Sequence, residues 1–187
     1  MKRFLVLVDT INTWIGKAFS WLIVSLTVTV AYSVIARYVF RTPVDWSVDW
    51  SYVFYGVFFM MGGAYTLAQN GHVRGDMIYH SLPVKKQAIL DLILYLLFFL
   101  PGVLALVWSG FDYAADSWRI MEKSSTTTAS TPIYLFKSFI PLAGILLLLQ
   151  GVAEVIRCIQ ALQTGVWPER LTDVEETEVK TAKEINR

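Results

Sequence analysis

Cysteine is nearly missing from this 187-residue chain: Cys158 is the only one. That excludes an internal disulfide and any cysteine-based metal cage, and leaves the thiol as a small apolar filler. Histidine is almost as scarce. His72 and His80 share one short segment, an arrangement unsuited to ligating haem iron or another metal inside a helical bundle. The chain has no glycine-rich phosphate loop, no G-x-S-x-G elbow and no H-E-x-x-H pair, which argues against an enzyme. Charged residues make up only 17% of the chain and the net charge is +1, so nothing suggests a nucleic-acid partner or a strongly acidic surface. No cofactor, metal or nucleic acid is expected.

What the chain does have is apolar length. Long runs occupy residues 18–36, 50–70, 92–111 and 138–153, in a sequence that is 55% hydrophobic with a mean hydropathy of +0.50. A hydrocarbon core of roughly 30 Å takes about 20 apolar residues as helix, because an unpaired backbone amide there costs several kcal/mol. The expected fold is therefore an all-α membrane protein. It has four transmembrane helices, an amphipathic N-terminal lead-in and a short interfacial segment between helices 2 and 3. Residues 1–164 form the membrane domain, and 165–187 are expected to be a disordered polar tail on the cytoplasmic side.

The opening MKRFLVLVDTINTWIGK is a poor signal peptide, since its apolar run is short and Asp9 interrupts it. Phe4, Leu7, Val8, Ile11, Trp14 and Ile15 recur at helical spacing, with Lys2, Arg3, Asn12, Thr13 and Lys17 mostly elsewhere on the wheel. This pattern predicts a helix lying along the membrane surface. Gly62 and Gly63 in the second span predict close helix packing, and Pro101 and Pro141 predict bends in the third and fourth. Most of the seven tryptophans fall near span ends, where an indole anchors at headgroup level. Counting Lys and Arg near span ends gives about eight on the side of Lys2 and Arg157 against five on the side of Arg37 and Arg119, placing both termini in the cytoplasm.

Among the ionisable residues, Arg37 near the end of span one could pair with Asp45 or Asp49 across the first hairpin, in competition with snorkelling to headgroups or water. Glu154 and Arg157 stand three apart on span four, the spacing of an intrahelical ion pair, and Gln150 could bond a neighbouring helix. His72, Arg74 and Asp76 alternate, which reads as a salt-bridged interfacial turn rather than a metal site. No span interior contains a carboxylate. A self-sufficient ion-coupled carrier needs a buried group whose charge changes, so the chain reads as a scaffold for a larger partner. The alternative is an autonomous four-helix transporter acting as a homodimer, and a third is a membrane protein of assembly or signalling.

Three strings, IARYVFRTPVDWSVDW, GGAYTLAQNGHVRGDMIY and KSFIPLAGILLLLQGVAEVIR, together resemble the small integral-membrane, DctQ-like subunit of tripartite ATP-independent periplasmic (TRAP) transporters. The resemblance covers about residues 5–160. His72, Val73 and Asp76 match the family's turn, and Asp49 alone carries over from an acidic pair in the first hairpin, where Val48 replaces the other acid. It implies a small permease subunit in a bacterial inner membrane that supports the large TRAP membrane subunit and is served by a periplasmic substrate-binding protein. The large subunit would carry out sodium-coupled symport of an organic acid. Segments 41–47 and 112–131 become candidates for touching the binding protein, through Arg41, Trp46, Trp118, Arg119 and Glu122.

Overall fold

A computed structural model describes residues 2–71, 79, 81–168 and 170, and among them the fold is helical throughout, with a single isolated β-bridge. The helices are α1 (Lys2–Ser20), α2 (Leu22–Tyr38), α3 (Trp46–Ala68), α4 (Val84–Leu94), α5 (Leu100–Arg119), α6 (Tyr134–Lys137) and α7 (Phe139–Thr164). Three helical stretches are long and apolar enough to cross a membrane: Lys2–Tyr38, Val84–Arg119 and Tyr134–Thr164. α3 has 23 residues, about 35 Å at the helical rise, but Asp49, its tyrosines and its glycines dilute its apolar character. It nevertheless runs the length of the bundle. Asp49 meets the loop before α6, whereas the Leu67 and Ala68 carbonyls accept from Arg170 at the end where α1 begins and α7 finishes. The latter is called the terminal end below, and the former the loop end.

α7 is the central element and packs against α1, α3, α4 and α5, while α2 leans on α3. Val57, Met61 and Ala64 of α3 meet Ala143 and Leu146 of α7, and Leu5 and Val8 of α1 meet Ala153. Water would drive such burial by about 25 cal/mol per Å², but lipid tails are as apolar as the residues themselves, so close packing and polar contacts must hold the helices together. Outward faces are correspondingly apolar, with Phe98, Leu104 and Trp108 all exposed.

The N-terminal segment differs from the expected surface lead-in. α1 continues into α2 after a one-residue interruption at Trp21 and packs along α3 and α7. Leu5, Val8, Asp9, Asn12 and Gly16 face the protein and Ile15 packs on the core, whereas Phe4, Leu7, Ile11 and Trp14 face out, so the predicted apolar stripe is split between the two sides. Of the predicted polar side only Asn12 is buried, joined by Asp9, while Lys2, Arg3 and Lys17 stay exposed. Close packing also falls elsewhere than predicted. A Cβ on Gly62 would meet nothing within 4 Å and one on Gly63 would touch Leu147 at an ordinary 3.7 Å. A Cβ on Gly16 would collide with Tyr65, and one on Gly144 would lie 2.8 Å from Val107.

Both prolines act at helix irregularities. Pro101 follows a π-helical turn at Tyr95–Phe99, where the Leu100 amide bonds back to the Tyr95 carbonyl. Pro141 falls in the first turn of α7, whose start at Phe139 is separated from α6 by Ser138; an amide hydrogen is dispensable there. The first eight residues of the candidate contact segment 112–131 are helical, since α5 runs on to Arg119. His72, Arg74, Asp76 and the interfacial segment around them lie outside the described residues, as do 171–187 of the tail.

Candidate functional site

Most of the buried polar side chains among the described residues gather into two clusters, one at each end of the bundle. At the terminal end, Arg157 of α7 is held on both sides: Nη1 donates to Glu154 Oε1 at 2.5 Å and Nη2 donates to Asp9 Oδ2 of α1. Glu154 also accepts from Arg170, at 3.0 Å on Oε1 and 2.7 Å on Oε2. Gln150 sits between, with Nε2 donating to Asp9 Oδ1 at 3.0 Å and lying 3.1 Å from Glu154 Oε1, while Oε1 accepts from Asn12 Nδ2 at 2.8 Å. Gln150, Glu154 and Arg157 are each at most 1% exposed. Isolated charges at that depth would be prohibitive. Two carboxylates facing two guanidiniums make the cluster neutral, and spacings of three and four residues put the contributors on one face of α7 and one face of α1.

Sequence reasoning found Glu154, Arg157 and Gln150 but missed Asp9, Asn12 and Arg170. A signal existed: Asp9 and Asn12 stand three apart in an apolar helix, matching the polar strip of α7.

At the loop end, α5 closes with Met121 in the left-handed region, φ 47°, so that the Glu122 amide bonds back to Ser117 and the chain reverses. A short bridge follows, with Ser124 N–H donating to Thr131 O at 2.8 Å and Ile133 N–H to Glu122 O at 3.0 Å. The loop so formed delivers hydroxyls to α3. Ser124 donates to Asp49 Oδ1 at 2.7 Å, Thr127 to Oδ2 at 2.5 Å, and Thr128 to Asp45 at 2.5 Å. Among the described residues no ion pair joins Arg37 to Asp45 or Asp49, one of the two arrangements the sequence left open. The reason is facing: Asp49 is buried on the loop side of α3, and Arg37 lies on an exposed face of α2. Arg37 instead lines a groove of about 360 Å³ with Ser33, Ser47 and Ser51.

The five residues expected to contact a partner divide. Arg41 and Arg119 are exposed, the latter pairing with Asp116 one turn back at 3.2 Å. Trp46 stacks on Tyr32 with centroids 5.9 Å apart, and Trp118 packs edge-on against Tyr134 while its indole donates to Ser138 at 2.8 Å. Both indoles keep an exposed edge. Glu122 is committed internally, accepting from Lys137 at 2.5 Å and Ser117 at 2.7 Å. The Lys137 contact, followed by the Ser117 hydroxyl, holds the Glu122 carboxyl below the usual carboxylate range.

Chemically, the carboxylates of the two clusters meet cations or hydroxyls. Among the described residues no group of three or more His, Cys, Asp or Glu is placed to hold a metal ion. Comparison with curated proteins gives no match. A family model described as tripartite ATP-independent periplasmic transporters, DctQ component, matches residues 26–161, a span that includes Asp49, the hydroxyl loop and Gln150, Glu154 and Arg157 but not Asp9, Asn12 or Arg170. Family members work alongside a large membrane subunit and a periplasmic binding protein. With its membrane-length helices and a match over well more than half its length, the chain belongs to the DctQ family: it is an integral membrane protein and the small membrane component of a TRAP transporter.

Proposed function

We propose that this chain is the stationary scaffold of a TRAP transporter that imports an organic acid with sodium across a bacterial inner membrane. α3 serves as a fourth crossing, because it returns the chain from the loop end to the terminal end over the same depth as its neighbours. The terminal end faces the cytoplasm, in keeping with the basic excess there, and the loop end faces the periplasm. There Arg41, Trp46, Trp118 and Arg119 are available to a binding protein, and Glu122 contributes by fixing the loop rather than by touching the partner. The outward apolar faces of the helices are shared between lipid and the large subunit.

One observation carries the reading. The ionisable groups buried at the terminal end are consumed by one another, and they join α1, α7 and the segment after α7 into one unit. A carrier must release such a group to a passing ion; a scaffold must not. Co-expression with the large membrane subunit and affinity purification through a tag on this chain tests the assignment: stoichiometric recovery of the large subunit is expected, and recovery of this chain only as a homodimer would favour the autonomous transporter. Asp49→Asn or Glu154→Gln abolishing uptake in a complex that still assembles would also move the balance to that alternative.

A further inference from the structure

α2 is the least buried of the long helices: of its 17 residues only Thr29 and Ala36 are enclosed, and α3 is the neighbour it leans on. Between the two helices runs a groove of about 360 Å³, in which Ser47 is buried, Ser33 and Ser51 are half-buried and Arg37 is exposed. Its lining falls entirely within residues 30–52, all of them described, and holds one cation and no carboxylate. Among the described residues Arg37 makes neither an ion pair nor a hydrogen bond. The α3 wall continues past the groove as Tyr52, Tyr55 and Phe59, spaced three and four apart on one exposed face, with Tyr55 stacked on Phe59 at 6.1 Å. Tyr55 stands about 14 Å along α3 from Trp46, well inside a helix of about 35 Å. Its hydroxyl has no hydrogen-bond partner among the described residues. Hydrocarbon offers such a hydroxyl nothing, and an unpaired guanidinium still less.

We propose, resting on the reading of this chain as a scaffold, that the α2–α3 groove is the docking surface for a membrane helix of the large TRAP subunit, which sets a carboxylate against Arg37 and polar groups within reach of Tyr55. A groove with one cation and no anion selects an anionic partner, and a guanidinium–carboxylate pair is directional, so it fixes the register of the incoming helix. The serines leave room for close approach, since small side chains let membrane helices draw together. A phospholipid phosphate meets Arg37 at headgroup level, yet its acyl chains leave the Tyr55 hydroxyl unsatisfied below. A helix bearing polar side chains serves both. The groove also supplies α2 with a second neighbour.

The full-length chain and the large subunit are co-expressed and purified in mild detergent through a tag on this chain, with a photo-crosslinking amino acid in place of Val34, of Tyr55 or, as a control on the exposed face of α5, of Trp108. Expected are crosslinks to the large subunit from Val34 and Tyr55 and not from Trp108. Recovery of the large subunit is expected to fall roughly tenfold with Arg37→Glu and to change little with Arg37→Lys. Crosslinks from Trp108 but from neither groove position, in a complex that still purifies, overturn this docking surface and leave the scaffold reading standing. Capture of phospholipid alone, or of a second copy of this chain, at both groove positions overturns it too. So does recovery indifferent to Arg37→Glu, since no carboxylate then faces the guanidinium. Failure of the unmodified chain to recover the large subunit at all is the distinct result that removes the scaffold reading and this surface together.

Discussion

Asn12 donates its side-chain amide to Gln150 at 2.8 Å, joining residues 138 positions apart and fixing the register of α1 against α7. In hydrocarbon, apolar contact alone distinguishes weakly between one register and the next, because neighbouring helices and lipid tails are equally apolar. A directional amide contact does distinguish them. Asn12→Ala is expected to cost about 1 kcal/mol, near the measured range for single polar contacts in membrane bundles. Thermal unfolding of the purified protein in detergent reads this; an unchanged midpoint would show that packing sets the register instead.

Glu154 carries a larger share, since it faces both Arg157 and Arg170. Glu154→Gln removes the carboxylate charge that Arg157 and Arg170 share, and breaking a buried pair from one side costs about 3–5 kcal/mol. Because Asp9 and Arg157 touch, Asp9→Asn combined with Arg157→Gln is expected to lose less than the sum of the single changes. Strict additivity in a double-mutant cycle would contradict the network.

Gly16 and Gly62 should respond oppositely to the same substitution. Gly16→Ala forces a methyl group into Tyr65 of α3 and is expected to destabilise by about 1–3 kcal/mol. Gly62→Ala places its methyl in open space, where the better helix propensity is worth up to about 1 kcal/mol. Paired melting curves decide it, and equal effects would mean that the α1–α3 contact is misassigned.

The Lys137–Glu122 contact predicts a pH response at the loop end. A carboxyl whose folded pKa is depressed adds stability that is complete above its unfolded pKa and lost as pH falls through the folded one. Hydrogen exchange of residues 120–133 should therefore accelerate progressively as pH falls from the ordinary carboxylate value through the lower folded one. Asp49 anchors the same loop through Ser124 and Thr127, so the difference between wild type and Glu122→Gln isolates the Glu122 contribution. A loop equally protected in both at every pH would remove Glu122 from the account.

Local spacing made part of this architecture legible. The apolar runs located the helices, and the three-residue interval between Glu154 and Arg157 located their pair, because both depend on neighbours along one helix. Partners that depend on tertiary placement were not legible. Asp9 looked like a break in an apolar run, and Asn12 like part of a solvated face, because the wheel was read for a helix at a water boundary. The inward phase follows only once α7 is known to present Gln150 and Arg157 to α1. Likewise Asp49 had a nearby arginine in sequence, but its hydroxyl partners come from a loop 75 and 78 positions away. Arg170 lay in a tail whose composition alone suggested nothing about a buried glutamate.

Uptake is the most direct measure of whether this polypeptide supports transport or performs it. Proteoliposomes given the binding protein and an inward sodium gradient from outside, the side equivalent to the periplasm, should accumulate organic acid when this chain and the large subunit are both present, and none when this chain is present alone. Sodium-driven accumulation by this chain without the large subunit would contradict the account.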